Sequence, residues 1–332
     1  MPSAPGRLRR ASLVVLVNLV TIGALLGCAE LYVRHKRLPP YHREYPGQYH
    51  EPGSVAWARA DSLLGWTIAP GYLPGQINPQ GFRDAKDFDN WPLHAGRHRV
   101  LLLGDSFVVG AHLRPEQTLP GLLQSGLGET HEVFTVAVPG WGIDQMYLAY
   151  ERYNDLIAPD VVVLAFIDDD VKRVLEAYRV AERLQKPTLA VQDGTLVRVP
   201  SVSTAPSWMD RFARRSVFAS LMVREFYLAT DAKAIVGQVF AEMARDSARR
   251  SGRFVVVRIP TRDDNDWVNR IRRYVSNLRA PLSGTGGMFL DVAVDTSDSR
   301  SWSPDLYVED GHLDAGGTER LAAAILPRLR GD

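Results

Sequence analysis

Two short segments, about two hundred residues apart, carry side chains that could act together in catalysis. The first is Gly104-Asp105-Ser106, and the second is Val308-Glu309-Asp310-Gly311-His312. A serine hydroxyl becomes a nucleophile when a histidine accepts its proton, and a nearby carboxylate can hold that histidine in the required tautomer. These residue types therefore predict nucleophilic chemistry at Ser106 with His312 as its base. Each segment alone would also be ordinary turn or helix-cap composition.

Two further segments follow apolar runs in the same way as the serine does. Gly140 comes shortly after one such run, and a glycine lets a backbone amide approach a substrate without a Cβ in the way. Asp168, Asp169 and Asp170 follow another. Three adjacent carboxylates could suggest a metal, but neighbours on an extended chain point in alternating directions and no matching ligand cluster occurs elsewhere. We therefore predict neither a metal nor a cofactor.

The elements that would position these residues form an alternating pattern. Short uninterrupted apolar runs are typical of strands buried on both faces of a sheet, and the segments between them have helical apolar spacing. This alternation predicts an α/β fold with a doubly wound parallel sheet. The predicted strands are Val100–Leu103, Val133–Val138, Val161–Phe166, Phe254–Ile259 and Met288–Val292, and the predicted helices are Pro120–Leu127, Ile143–Ile157, Asp231–Ala248, Asp264–Leu278 and Ala315–Leu329.

One stretch, at about residues 179–227, interrupts the alternation. Within it, two apolar segments flank Asp193-Gly194, which predicts a hairpin with a tight turn. We expect this insertion to lie beside the carboxyl edge of the sheet, where loops line the ligand crevice of open α/β sheets, and to influence substrate choice.

The amino terminus contains an apolar run, residues 11–29, that follows Arg7, Arg9 and Arg10. At helical rise it spans roughly 28 Å, close to the thickness of a bilayer core. We expect an uncleaved single-pass anchor over residues 1–37, with the body of the protein on the periplasmic or extracellular side. The alternative is a lipoprotein signal, since Leu25-Leu26-Gly27-Cys28 resembles a lipobox whose cysteine would be acylated.

Composition restricts the remaining classes. The formal charge of +1 gives no reason to expect a nucleic-acid partner, which needs a clustered basic surface. Cys28 is the sole cysteine, so an intramolecular disulfide is excluded.

Residues 38–98 are rich in Pro, Gly and aromatic residues and are expected to be a linker and lead-in segment. We interpret the Gly65-Trp66 and Ile77–Arg83 patches in this segment as turns with aromatic packing. The main domain is expected over residues 99–332.

The chain resembles the GDSL/SGNH hydrolases in the blocks around Ser106, Gly140 and His312, and the Ile-Asn-x-x-Gly-Phe-Arg stretch at 77–83 looks like bacterial membrane-anchored members. The resemblance implies a flavodoxin-like α/β/α fold and an esterase with Ser106 as nucleophile and His312 as base. It also implies that the N–H groups of Ser106 and Gly140 form the oxyanion hole. Strict spacing selects Glu309 as the histidine's carboxylate, whereas the Asp-Gly-His form of the block selects Asp310, which we favour.

The chain departs from the family pattern at Asp169, which stands where the family has an oxyanion-donating asparagine. An ionised carboxylate can only accept hydrogen bonds, so it would repel a developing oxyanion. Either Asp169 is protonated, or another donor serves, or the site only binds. We expect a serine esterase acting on a small-molecule or glycan acyl ester, or on a lipid ester, outside the cytoplasm. An acyltransferase using the same residues and a non-catalytic glycan-binding module are the alternatives.

Overall fold

The structure is a computed structural model that describes residues 4–37, 56–179, 184–199, 208–262, 278–295 and 302–330. The chain divides into two compact units. One consists of Met1–Arg43 with Thr204–Tyr227, and the other of Glu44–Ser203 with Leu228–Asp332.

The second unit is built on a five-stranded parallel sheet. Four of its strands are buried along most of their length, because side chains on both faces are covered by helices, whereas the edge strand Met288–Asp291 is only partly buried. The strands are β3 (His98–Gly104), β4 (His131–Ala137), β5 (Val161–Phe166), β10 (Arg253–Arg258) and β11 (Met288–Asp291). The order across the sheet is β4-β3-β5-β10-β11, which is the 2-1-3-4-5 order of flavodoxin-like folds. The predicted α/β fold is therefore confirmed by the strand order.

Helices cover both faces of this sheet. The helices of this unit are α2 (Ser106–Val109), α3 (Leu119–Leu127), α4 (Ile143–Ile157), α5 (Asp168–Arg173), α8 (Lys233–Arg249), α9 (Val292–Asp295) and α10 (Ala315–Arg330). The chain moves outward from β3 to β4 and then back past β3 to β5, so right-handed crossovers put α3 and α4 on opposite faces. The pairing of helices agrees with this, since α3 contacts the last helix, α10, and α4 contacts α8.

Predicted and observed elements agree within two residues in the described parts of the chain. The helix predicted over Asp264–Leu278 lies almost wholly outside the described residues. The predicted hairpin is present, with Asp193 and Gly194 at φ 51° and 74°, the positive values that a tight primed turn needs. Its strands are β8 (Thr188–Gln192) and β9 (Thr195–Val199), and a shorter pair, β6 (Tyr178–Arg179) and β7 (Leu184–Gln185), precedes it.

The lead-in segment packs into the second unit through its aromatic residues. Strands β1 (Ala58–Asp61) and β2 (Gly65–Ile68) pair antiparallel, and β2 is fully buried. Trp66 Nε1 donates to the Pro139 carbonyl at 3.2 Å, while Trp141 Nε1 donates to the Trp66 carbonyl at 3.0 Å. Phe82 is also buried, with its ring edge-on to Trp141. The predicted aromatic packing is thus present, and it touches the loop that follows β4.

The first unit contains α1 (Ala4–His35), α6 (Trp208–Ala213) and α7 (Val217–Tyr227). The part of α1 from Ser12 to His35 is long and apolar enough to cross a membrane, with a mean hydropathy of 2.3, although a signal sequence would have the same properties. Cys28 is exposed within this helix. α7 contacts both α1 and α6.

Candidate functional site

Ser106, His312 and Asp310 form a continuous hydrogen-bonded chain. His312 Nε2 lies 2.8 Å from Ser106 Oγ, and His312 Nδ1 lies 2.9 Å from Asp310 Oδ1. An ionised carboxylate has no hydrogen to give, so Nδ1 carries the proton toward Asp310 and Nε2 is left to accept from the serine hydroxyl. This is the tautomer that a general base needs.

Of the two candidate carboxylates, the structure brings Asp310 to the histidine. Asp310 Oδ1 also accepts from the backbone N–H of His312 at 3.1 Å, which holds the carboxylate beside the ring. These hydrogen bonds from the His312 side chain and backbone lower the pKa of Asp310 below its ordinary 3.8. Glu309 is exposed at the preceding position. The carboxylate of Asp310 is itself 66% exposed, unlike a buried triad aspartate.

Ser106 begins α2 directly after β3, at the point where the strand order of the sheet reverses. Open α/β sheets bind ligands at such a point. Asp105 caps the helix by accepting from Phe107 N–H at 2.9 Å. Only glycine fits at position 104, because a Cβ would lie 2.2 Å from the Val108 side chain and 3.1 Å from the Ala165 carbonyl. The tight strand-to-helix turn therefore depends on both residues that precede the serine.

Gly140 lies in the loop that follows β4, the neighbour of β3. Its φ of 74° is in the left-handed region, where a residue with a side chain would be strained. The two tryptophan hydrogen bonds described above hold this loop from both sides of Gly140, at the Pro139 carbonyl and the Trp141 indole. The loop is thus rigidly supported by the lead-in segment.

The three adjacent aspartates of α5 diverge, and each has its own cation. Asp168 pairs with Arg258 at 2.7 Å, and Asp169 pairs with Lys172 at 2.5 Å. Asp170 is buried and pairs with Arg173. No group of three or more His, Cys, Asp or Glu side chains within the described ranges is arranged to hold a metal ion. Asp169, which the motif resemblance aligns with an oxyanion-donating asparagine, is 55% exposed on the first turn of α5.

Arg173 links this aspartate block to the other two. Its Nη1 lies 3.1 Å from Asp105 Oδ2 and 3.2 Å from the Trp141 carbonyl, in addition to its contact with Asp170. Burial, together with the neighbouring Asp105 charge, raises the pKa of Asp170 well above 3.8. The two carboxylates in turn raise the pKa of Arg173 although it is partly buried, so the guanidinium remains charged. Sequence reasoning missed this residue, because its role depends on contacts between three separate loops.

Arg83 holds the other end of the serine helix. Its guanidinium donates to the Val109 carbonyl at 2.9 Å and to the Leu113 carbonyl at 2.8 Å, and also contacts the carbonyl of Gly110. These carbonyls belong to the end of α2 and the turn after it, where helical partners are absent. The sequence signal is available, since Arg83 is the last residue of the Ile77–Arg83 patch, but turns, aromatic packing and the family resemblance of that patch assign no role to the arginine.

Two more side chains near the site were not predicted. His112 Nε2 lies 2.9 Å from the Leu313 carbonyl, and its ring centre is 6.0 Å from that of His312. Lys186, in the insertion, is buried and contacts both carboxylate oxygens of Asp144 at 2.8 and 2.7 Å and the Arg173 carbonyl at 2.6 Å. The insertion is therefore joined through Lys186 to the helix that follows Gly140.

No protein-family model matches the sequence, and no curated protein does. Among solved structures, the chain is similar to TesA, with 14% identity and a TM-score of 0.44 over 70% of this chain and 99% of that one. It is similar to a GDSL-like lipase from Bacteroides thetaiotaomicron, with 13% identity and a TM-score of 0.41 over 72% and 91% of the two chains. An acetyl xylan esterase from Geobacillus stearothermophilus has 15% identity and a TM-score of 0.42 over 70% and 94%. The solved structures to which this chain is similar thus include GDSL-like lipases and esterases.

Proposed function

We propose that the protein is an ester hydrolase in which Ser106 attacks the acyl carbonyl. The observation that carries this proposal is the position of His312, whose two ring nitrogens lie 2.8 Å from the Ser106 hydroxyl and 2.9 Å from the Asp310 carboxylate. His312 takes the serine proton during the attack, and Asp310 stabilises the imidazolium that results. Water then resolves the acyl-enzyme, with His312 again acting as base.

The tetrahedral oxyanion is stabilised in this proposal by the N–H groups of Ser106 and Gly140. Gly140 suits this role because of its left-handed conformation in a supported loop. The motif resemblance implies an acyl ester on a carbohydrate or lipid as substrate. If α1 crosses the cytoplasmic membrane, a site on its outer side would meet such esters in the periplasmic or extracellular space, and neither a cofactor nor a nucleic acid has a role.

The test has two measurements on separate samples of the full chain. One is covalent labelling with a fluorophosphonate probe, and the other is hydrolysis of p-nitrophenyl acetate by unlabelled protein. We expect an adduct on Ser106, and loss of both labelling and hydrolysis in Ser106→Ala. Ser283→Ala is the matched control, because Ser283 is an exposed serine outside the site, and it should behave as wild type. Labelling that survives Ser106→Ala would reject Ser106 as the nucleophile.

A second candidate function is a glycan-binding module that keeps the fold without catalysis. The observation that favours it is Asp169, an exposed carboxylate at a position where the family supplies a donor. A binding module would give no adduct at Ser106 and no rate above that of Ser106→Ala, so the same experiment separates the two functions.

A further inference from the structure

Large apolar side chains are exposed together on α6 and α7. Trp208 and Phe212 on α6 are 69% and 56% exposed, and Met222 and Phe226 on α7 are 53% and 50% exposed. Outside α1, the other exposed large apolar side chains in the described ranges are scattered along the chain, at Tyr72, Leu93, Leu156, Met288 and Val294. Scattered residues of that kind need no explanation, but a local group of this size indicates a surface that is covered in use.

The spacing of these four residues gives each helix one apolar outer face. Trp208 and Phe212 are four residues apart, as are Met222 and Phe226, so each pair lies on one side of its helix. Ala219 and Val223, which lie on the adjacent side of α7, are buried, so that side is already used in packing. The exposed faces are therefore additional to the packing that holds these helices in place.

Basic residues accompany the apolar face. Arg211, Arg214 and Arg215 are exposed at the end of α6 and in the turn that leads to α7. A surface that combines exposed Trp and Phe with arginines matches the interface of a bilayer, where apolar side chains enter the acyl boundary and cations meet anionic headgroups.

The carboxylate of Glu30 in α1 is hydrogen-bonded to the start of α7. It accepts from Ser216 Oγ at 2.7 Å, Phe218 N–H at 2.9 Å and Val217 N–H at 3.2 Å, and so caps the first turn of α7. Glu30 is the first residue after the apolar run at 11–29. The start of α7 is therefore held where that run ends.

The last turn of α1 has the composition of a membrane interface. Tyr32 is 60% exposed, and the ammonium of Lys36 lies 5.9 Å from the centre of its ring. Arg34 and Arg37 lie nearby in sequence. Aromatic and basic residues of this kind are enriched where a spanning helix leaves the hydrocarbon.

We propose that α6 and α7 lie in the headgroup region of the bilayer that α1 crosses, with Trp208, Phe212, Met222 and Phe226 inserted among the lipids and the arginines at anionic headgroups. This surface is a membrane contact separate from the span itself. It requires α1 to be a retained membrane helix and is independent of the proposed esterase activity.

The first test uses the unaltered full chain in nanodiscs of phosphatidylcholine and phosphatidylglycerol. A trace of lipid carries a photoactivated crosslinker near the carbonyl end of one acyl chain, and adducts are located by mass spectrometry. We expect adducts in α1 and in the segment 208–226. Adducts in α1 without any in 208–226 would overturn the proposal, as would an absence of adducts in α1.

The second test measures the environment of single side chains. In a Cys28→Ser background, Phe212→Cys and Phe226→Cys are labelled with a polarity-sensitive fluorophore, and Asp193→Cys, at the hairpin turn, is the control. We expect a blue shift and quenching by spin-labelled lipid at 212 and 226, and neither at 193. A blue shift that spin-labelled lipid does not quench would show that protein, such as a second copy of the chain, covers this face, and it would reject the membrane contact.

Discussion

The guanidinium of Arg173 lies 3.1 Å from the carboxylate of Asp105, the residue that immediately precedes Ser106. Asp105 is completely buried. Arg173 is the cationic partner of both Asp105 and Asp170. Removal of one member of a buried ion pair leaves an uncompensated charge. We therefore expect Arg173→Gln to lower the free energy of unfolding by about 3–5 kcal/mol at neutral pH.

The loss in Arg173→Gln should depend on pH with a definite sign. Burial and the Asp105 charge already raise the pKa of Asp170 above 3.8, and the variant removes the cation that opposes this rise. The folded variant then binds more protons than the unfolded chain between pH 3.8 and its raised pKa, so its stability falls as pH rises. Denaturant unfolding at pH 5 and pH 8 measures this difference.

Arg198→Gln is the matched control for Arg173→Gln. Arg198 pairs with Glu151 at 3.0 Å, but both side chains are about half exposed. Such a pair contributes about 1 kcal/mol or less. Equal losses in the two variants would contradict the importance that we assign to the buried network.

Lys186 is expected to stabilise the folded protein by joining the insertion to Asp144 of α4. Lys186→Met leaves the buried Asp144 carboxylate without its cation, and we expect a loss of about 3–5 kcal/mol in the free energy of unfolding. Burial already raises the pKa of Asp144, so Asp144→Asn in the same chain should recover part of the loss by removing the unpaired charge. A double-mutant cycle measures the coupling, and additive losses would show that the two side chains do not interact.

The strands and the Ser106–His312 pair could be predicted from sequence, whereas the cations Arg173 and Lys186 could not. The strands were predictable because a sheet buried on both faces requires continuous apolar runs, as in Val161–Phe166. Ser106 and His312 were recognised as a candidate pair because their motifs are local. Arg83, Arg173 and Lys186 were not recognised, because each acts on backbone or carboxylate groups that only the folded chain brings near. A single charged residue has no periodicity that would predict its burial.

Asp310→Asn tests whether the negative charge of the Asp310 carboxylate contributes to catalysis. The amide can still occupy the position beside His312, but it lacks the charge that stabilises the imidazolium. A buried triad aspartate contributes about 10⁴-fold to kcat, and because Asp310 is 66% exposed we expect a smaller loss, about 10- to 1000-fold. Glu309→Gln is the control and should retain wild-type kcat. A larger loss in Glu309→Gln than in Asp310→Asn would reverse the assignment.

The effect of Asp310→Asn on the free energy of unfolding should depend on pH. Because hydrogen bonds from His312 lower the folded-state pKa of Asp310 below 3.8, its stabilising contact is present above pH 3.8 and is lost as pH falls through the lower value. For a group this exposed, the contribution is about 1 kcal/mol or less. The difference in unfolding free energy between wild type and Asp310→Asn should therefore persist at pH 5 and disappear in stronger acid. A difference that grows on acidification would contradict this account.

Asp169 and Lys172 allow the oxyanion proposal to be tested by changes of opposite sign. If Asp169 lies near the developing oxyanion, Asp169→Asn exchanges a repulsive charge for a donor, and such a donor is worth up to about 100- to 1000-fold in rate. Lys172→Met removes the cation 2.5 Å from the carboxylate and should lower kcat, because the Asp169 charge is then less well compensated. Both are measured as kcat for an acyl ester, with unfolding free energy as a check on folding. If neither variant changes kcat, Asp169 does not act on the oxyanion, and the N–H groups of Ser106 and Gly140 stabilise it without help from α5.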